Sequence, residues 1–576
     1  MSKRHFSFFV VFLLGMLVFP VFVSAAVSVD IQREVSQLEA DMIQQSKEHL
    51  DLEEQEKQKA EVQLQKEENQ PQAQGPAFKV NKIELVGNNS IFSTQLLHLY
   101  AKPFEGRVLH LKDLQDLALL ITAHYQRAGY MTSRAFVPPQ EIQNGKVIIR
   151  ILEGRVGDIK IKGNQWFPAP LYLDRISLKQ GEVFEMQQLG MSLQDINELP
   201  DRYVKAYLEP GSEIGKSDIV IVAQDKNPIH ASYEYNNNGT SLTHISRDIF
   251  HFTDNNLSGH GDSLQTSISM ADQNSVLGGM IQYVLPNPRE GLTYSFNGGY
   301  DYSRLEKDLR SLKVTSTSFF ISPGVTKNFI RTPRLKVDGF IGFEMKDAKT
   351  LVDQNKLSLD RSRVLDIGPR VALDDNWGKT FWADDLRIGI PDILGGSELH
   401  DPEASRIDSG GEFVYMTSSV DRINRLPFDS YLVLHGGGQY SPMPLTSLEQ
   451  FYLGGMYSVR GYPENDSSGD SGLNFSAELR IPPYFIPKGW HVWNSKDKTW
   501  RDTLSLVTFV DGGRVFNFKR QQASSAKDRT LLGTGVGVRY YVSPDINCQA
   551  GIGFPFGDKS SDGKNAEPYV SARVGF

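Results

Sequence analysis

The chain has 576 residues, with 61 Lys plus Arg against 69 Asp plus Glu and a single cysteine. A net charge of −8 gives no basic footprint for nucleic acid, and one Cys548 excludes an internal disulfide. The length exceeds one ordinary domain, so a fold without covalent staples must rest on large packed or closed elements.

The first elements are addressing and tether segments. Lys3 and Arg4 precede the apolar run Phe6 to Val23, and small residues at Val23 to Ala25 offer a cleavage point. Residues 1–25 therefore fit a secretory signal peptide, and Pro20 argues against an uncleaved anchor helix. Residues 26–75 follow as a helix and a charged linker. Ile31, Val35, Leu38 and Met42 form one helical stripe, too short for a coiled coil. From Asp30 to Gln70 there are 12 acidic and 5 basic residues, so the remaining face is strongly acidic. A helix over 30–50 would be about 30 Å long at 1.5 Å per residue.

An internal repeat comes next. "KIELVGNN" (Lys82 to Asn89) and "DIKIKGNQ" (Asp158 to Gln165) place Gly87 and Gly163 76 residues apart. Each copy continues with a helical stretch and a closing strand. In the first these are "LKDLQDLALLITAHYQRAGY", containing Gly129 and Tyr130, and "VIIRILEG". In the second they are "MQQLGMSLQDINEL" and "SDIVIVAQD". The spacing predicts a small α/β module used twice, over 76–153 and 154–227.

From 228 to 576 the texture is period-two alternation with Gly- and Asn-rich turns. "LKVDGFIGFEMK" puts Leu335, Val337, Ile341, Phe343 and Met345 on one face and Lys336, Asp338, Glu344 and Lys346 on the other. "NFSAELRI" sets Phe475, Ala477, Leu479 and Ile481 against Asn474, Ser476, Glu478 and Arg480. A transmembrane antiparallel β-barrel needs this pattern, since only closure removes unpaired edges in lipid. A soluble sandwich also alternates, but not in a run of 349 residues ending on an aromatic. At about 22 residues per strand with its connection, the run suits 16 tilted strands. The predicted fold is thus an N-terminal α-helix, two α/β modules and a C-terminal barrel.

These segments resemble the two-partner secretion transporters, the TpsB branch of the outer-membrane POTRA–β-barrel superfamily, along the whole mature chain. "YQRAGYMTSRAFVPPQEIQNGKVIIRILEG" (Tyr125 to Gly154) is similar to that family's first POTRA domain, with Gly129 and Tyr130 among its landmarks. "YLGGMYSVRGY" carries the signature loop Val459, Arg460, Gly461 and Tyr462, and "FVDGG" the strand facing it, with Phe509, Asp511 and Gly513. "YVSARVGF", from Tyr569 to Phe576, resembles the terminal strand that barrel-assembly machinery recognises.

The resemblance implies an outer-membrane pore with POTRA domains in the periplasm. These would bind an unfolded exoprotein, a large β-helical adhesin or cytolysin of TpsA type, and pass it to the surface without ATP. Other implied partners are outer-membrane lipid and the assembly machinery. The helix over 30–50 would plug the pore. Arg460 would latch onto Asp511, which must face the lumen, and Tyr462 would stack beside the arginine. Val507 and Phe509 share that inward face, which weakens parity alone as the reason. An assembly factor that inserts other barrels is the alternative function within the superfamily.

Enzymatic motifs do not hold together. "GDSG" around Ser471 and "TAHY" around His124 mimic protease fragments, but the two fall in different predicted domains. Ser471 is expected in a Gly/Ser/Asp-rich turn. The 12 histidines lack metal spacing, and "GTGVGVRY" has strand parity, with Gly535, Gly537 and Arg539 inward. No catalytic residue, metal or cofactor is expected. Cys548 is expected to pack as a small hydrophobe.

Overall fold

In a computed structural model that describes residues 76–87, 90–492, 498–518 and 527–576, the two sequence textures become two units, 76–228 and 229–576. The signal segment 1–25 and the helix and linker of 26–75 lie outside the described residues.

The first module contains β1 (Phe78–Val80), β2 (Lys82–Gly87), α1 (Thr94–Ala101), β3 (Arg107–Leu109), α2 (Leu111–Arg127), β4 (Arg134–Phe136) and β5 (Lys146–Leu152). β5 is central, parallel to β2 and antiparallel to β4, while β1 and β3 pair separately. On α2 the buried residues Leu114, Leu117, Ala118, Ile121 and Tyr125 follow helical spacing. They meet Val147, Ile149 and Ile151, the alternate residues of β5. Truncating one such leucine would cost about 2–5 kcal/mol, since the cavity adds to the lost transfer energy.

The second module repeats the plan with β6 (Arg155–Lys162), α3 (Ala169–Leu173), α4 (Met186–Asn197), β7 (Arg202–Pro210) and β8 (Lys216–Asp225). Here β8 is central, parallel to β6 and antiparallel to β7. The repeated glycines share a cause. A Cβ on Gly87 would lie 2.0 Å from the Ile151 carbonyl oxygen, and one on Gly163 2.6 Å from that of Ala223. Each lies at the end of β2 or β6, where the chain runs against the central strand, β5 or β8.

A carboxylate at the end of the central strand of each copy, β5 or β8, ties down the turn after β2 or β6. Buried Glu153 accepts from the Ser90 N–H (2.9 Å), the Ile91 N–H (3.0 Å) and the Tyr125 hydroxyl (3.1 Å). Asp225 accepts from the N–H groups of Gln165, Trp166 and Phe167 and from the Tyr172 hydroxyl (3.1 Å). Both tyrosine hydroxyls are held well above their ordinary pKa, first by burial and then by the adjacent carboxylate. The modules join where the Met186 N–H donates to the Gly129 carbonyl (3.0 Å). Tyr130 sits beside that joint, edge-on to Tyr125.

The second unit is a closed barrel of 16 antiparallel strands. Its first half runs β9 (Ile229–Asn236), β10 (Arg247–Asp254), β11 (Ser263–Met270), β12 (Val276–Asn287), β13 (Leu292–Arg304), β14 (Val314–Arg331), β15 (Leu335–Val352) and β16 (Asn355–Asp375). β17 (Gly378–Gly389), β18 (Phe413–Leu426) and β19 (Ser430–Tyr440) follow. The next connection holds a small hairpin of its own, β20 (Phe451–Leu453) with β21 (Ser467–Gly469). β22 (Ser471–Ile481), the short α5 (Trp500–Thr503), β23 (Leu504–Phe516), β24 (Arg529–Ser543), β25 (Ile546–Pro555) and β26 (Glu567–Gly575) complete the wall.

Alternation resolves into lipid and lumen faces. Leu473 and Phe475 are exposed on the outside of β22, while Glu478 and Arg480 are buried inside. On β15, Ile341 is exposed whereas Glu344 and Lys346 are buried. Cys548 departs from expectation. It is exposed on the outer face of β25 with Ile546 and Ile552, so it meets lipid and not a packed core. Ser471 also differs, opening β22 instead of lying in a turn, because its hydroxyl fastens that strand to the Ser441 backbone.

β26 closes on β9 through five residue pairs, Ser571–Gly575 against Asn236–Ser232. The Arg573–Glu234 ion pair (2.7 Å) and the Phe576 N–H on the Ala231 carbonyl (2.9 Å) add to that seam. The Phe576 side chain itself is exposed.

Candidate functional site

The connection 441–470 between β19 and β22 carries the only arginine of the quoted signature, Arg460, and turns into the lumen. Backbone geometry makes the inward course feasible. Gly461 has φ +102, a conformation that side chains resist, and a Cβ there would also strike Phe554 and Pro555. On the wall opposite, a Cβ at Gly533 would lie 1.8 Å from the Arg460 carbonyl oxygen. The inward glycine of β24 thus allows the loop to lie directly on the wall.

Arg460, 8% exposed, meets fully buried Asp511 through three bonds. Its Nε donates to Oδ2 (2.7 Å), its Nη2 to Oδ1 (2.9 Å), and its backbone N–H to Oδ2 (3.0 Å). Planar guanidinium and planar carboxylate match as two forks, the strongest ionic hydrogen-bond geometry available to side chains. Ser476 braces the acceptor, donating to Asp511 Oδ1 (2.7 Å). Nη1 of Arg460 bonds Glu478, which also pairs with Arg480 (2.7 Å) and Arg539 (2.9 Å). Three guanidinium groups against two carboxylates leave one net positive charge in this cluster.

The sequence places Phe509 on the lumen face without a reason for an aromatic there. The guanidinium carbon of Arg460 lies 3.5 Å from the Phe509 ring centroid, a cation–π contact that explains it. Tyr462 does not stack beside the arginine as expected. It packs with Leu453, Val459, Val515 and Leu531. Its hydroxyl donates to the Asp558 carbonyl (2.9 Å) and receives the Gly557 (3.2 Å) and Leu532 (3.3 Å) N–H groups. That pocket is apolar and buries the ring completely. Gly513 presses against Leu453 of the same pocket.

Tyr569 has a role in this site that the sequence did not disclose. Its buried hydroxyl accepts the Gly461 N–H (2.6 Å) and donates to the Tyr462 carbonyl (3.0 Å). Other anchors lie along the loop. Buried Glu449 takes the Lys346 ammonium of β15 (2.8 Å) and the Tyr415 hydroxyl of β18 (2.7 Å). Asp470 pairs with Arg406 of the connection 390–412 and receives the Leu445 and Phe518 N–H groups. The inward charges Glu478, Lys346 and Arg539 were visible as parity, but only folding shows whom they meet. His124 contacts Tyr100 (3.1 Å) within the first module.

The chain resembles known proteins throughout this architecture. The family model described as haemolysin secretion/activation protein ShlB/FhaC/HecB matches residues 215–540. The model of the ShlB-type POTRA domain matches 78–154. Among curated relatives, the heme/hemopexin transporter protein HuxB of Haemophilus influenzae (strain 86-028NP) is 22% identical, covering 71% of this chain and 73% of its own. The outer membrane transporter CdiB of Dickeya dadantii (strain 3937) is 25% identical, covering 84% of this chain and 83% of its own. The solved structure of CdiB from Escherichia coli superposes with a TM-score of 0.67 at 20% identity, over 88% of this chain and 93% of that one.

Proposed function

Because this chain belongs to the haemolysin secretion/activation family ShlB/FhaC/HecB, an outer-membrane transporter family, we propose that it secretes one partner exoprotein. The exoprotein reaches the periplasm unfolded, binds the POTRA modules, passes through the barrel and folds outside. No nucleotide takes part; folding and capture at the surface supply direction.

The observation that carries this reading is the arginine-centred loop lodged in the lumen of a closed 16-strand barrel. A passive diffusion channel has no need of a loop tied to its wall by a bidentate ion pair and by a tyrosine of the last strand. The sheets of the POTRA modules supply the other half of the reading. β7, nine residues long, pairs with β8 on one side, and such an edge can accept an extended chain by backbone bonding that tolerates many sequences.

We assign Arg460 and Asp511 as the latch that keeps the loop in place, and residues 30–50 as a plug. The test is co-expression with candidate exoproteins and assay of surface release. Release that depends on this chain, and that falls in Arg460→Ala at equal outer-membrane abundance, is the expected result. Normal release in that variant removes the latch, and insertion of other barrels in place of exoprotein release removes the function. Deleting 30–50 should raise ion conductance in planar bilayers while secretion persists.

A further inference from the structure

Of the connections at the barrel end where residue 229 enters, six span two to eight residues, whereas the one between β22 and β23 spans 482–503. Its described residues carry three exposed aromatic side chains: Tyr484, Phe485 (75% exposed) and Trp490 (61%). Water is a poor medium for such a group of rings, and their placement indicates a different one.

This connection folds against the outside of the barrel. The Trp500 ring stacks on Tyr540, centroids 5.4 Å apart at 30°. Tyr540 shares strand parity with Val536 and Val538, which are exposed on the outer face of β24, while Arg539 points inward to Glu478. Lys498 Nζ reaches the Val542 carbonyl on the same strand (2.5 Å). The segment is ordered by its own bonds. The Trp500 N–H donates to the Trp490 carbonyl (2.9 Å), and the Val492 N–H to the Lys498 carbonyl (3.0 Å). Arg501 donates to the Tyr484 carbonyl (2.6 Å) with its guanidinium 5.2 Å from the Tyr484 ring centroid.

We propose that residues 482–492 and 498–503 form an interfacial membrane anchor, seated in the phospholipid headgroup region of the inner leaflet. Trp500, whose ring covers Tyr540 on the lipid-facing wall of β24, holds the Trp490 backbone carbonyl, so exposed Trp490 stands next to a lipid-facing surface. Amphipathic rings concentrate at that depth, with an apolar body toward the chains and a polar edge toward water. Lys488, Lys498 and Arg501 stand among the rings, and cations at this level attract lipid phosphates. The anchor would hold the β22–β23 edge, the two strands that carry Glu478 and Asp511, at a fixed depth.

The test uses the full chain reconstituted in vesicles of phosphatidylcholine brominated near the headgroup. The emission of Trp490 is isolated as the difference between the parent and Trp490→Phe, a variant that keeps an aromatic ring and the fold. Loss of most of that emission on bromination, with little quenching by aqueous iodide, is the expected result. Emission indifferent to bromine and quenched by iodide would overturn the proposal, and would leave the rings to a periplasmic protein partner.

Discussion

Replacing Arg460 by alanine removes one member of a five-charge cluster and strands a particular partner. Glu478 keeps Arg480 and Arg539, so its charge remains compensated. Asp511, fully buried, loses both guanidinium bonds and the only cation paired with it among the described residues. Breaking a buried pair in this way costs about 3–5 kcal/mol, and Ser476, which still donates to the carboxylate, favours the lower end. Loss of the Phe509 contact adds roughly 0.5–2 kcal/mol. At about 1.4 kcal/mol per tenfold, the undocked population of the loop should rise roughly 100-fold or more. A cysteine at Ser458, in a Cys548→Ala background, reports this as the rate of labelling by a water-soluble maleimide. Arg460→Lys should fall between parent and alanine, because an ammonium keeps the charge but not the fork. Labelling of the alanine variant at the parental rate would refute the latch, whatever happens to secretion.

Four further outcomes follow from the same contacts. Tyr569→Phe leaves the buried Gly461 N–H without its acceptor, which should cost about 1–3 kcal/mol and raise Ser458→Cys labelling while the barrel still migrates as folded in unheated gels. Glu449→Gln should loosen the opposite leg of the loop by weakening its bond to buried Lys346; proteolytic nicking within 441–450 measures it. Glu153→Ala should unfasten the turn at Ser90 and Ile91 in the first module, seen as faster amide exchange there with the second module unchanged. Asp218 is held below the usual carboxylate range, first by its bond to Lys160 (2.7 Å) and then by the Asp158 N–H. A depressed carboxylate stabilises the fold above its unfolded pKa of about 3.9 and loses that contribution as pH falls through the folded value. Asp218→Asn should therefore flatten the acid limb of a denaturation profile for the second module.

The barrel was legible because lipid and lumen impose opposite demands on alternate residues. Leu473, Phe475 and Ile341 on one face, and Glu478, Arg480 and Lys346 on the other, spell that out in sequence. The Arg460–Asp511 pair is legible only through motif resemblance, since a separation of 51 residues hides it from any local rule. What stayed hidden depended on three-dimensional neighbours. Tyr462 lies two residues from a cation, which suggests stacking on it, yet an apolar pocket closed by Leu453 and Leu531 takes the ring instead. Phe509 has no visible reason to face inward in the sequence, and the arginine lying over its ring supplies one. Cys548 looked like core by composition, but the outside of a membrane barrel is also apolar.

The Tyr569 hydroxyl has a consequence in time as well as in space. Its two bonds to the loop come from the last strand, some 107 residues after the loop itself, so they cannot form until β26 is in place. The Asp511 acceptor, on β23, is likewise made after the arginine that seeks it. The Glu449 leg of the loop can dock on β15 and β18 beforehand, but the Arg460 leg is fully fastened only once β23 and β26 are both in the wall. The lodged loop is in this sense a proofreading mark, which a truncated or misregistered barrel would fail to acquire.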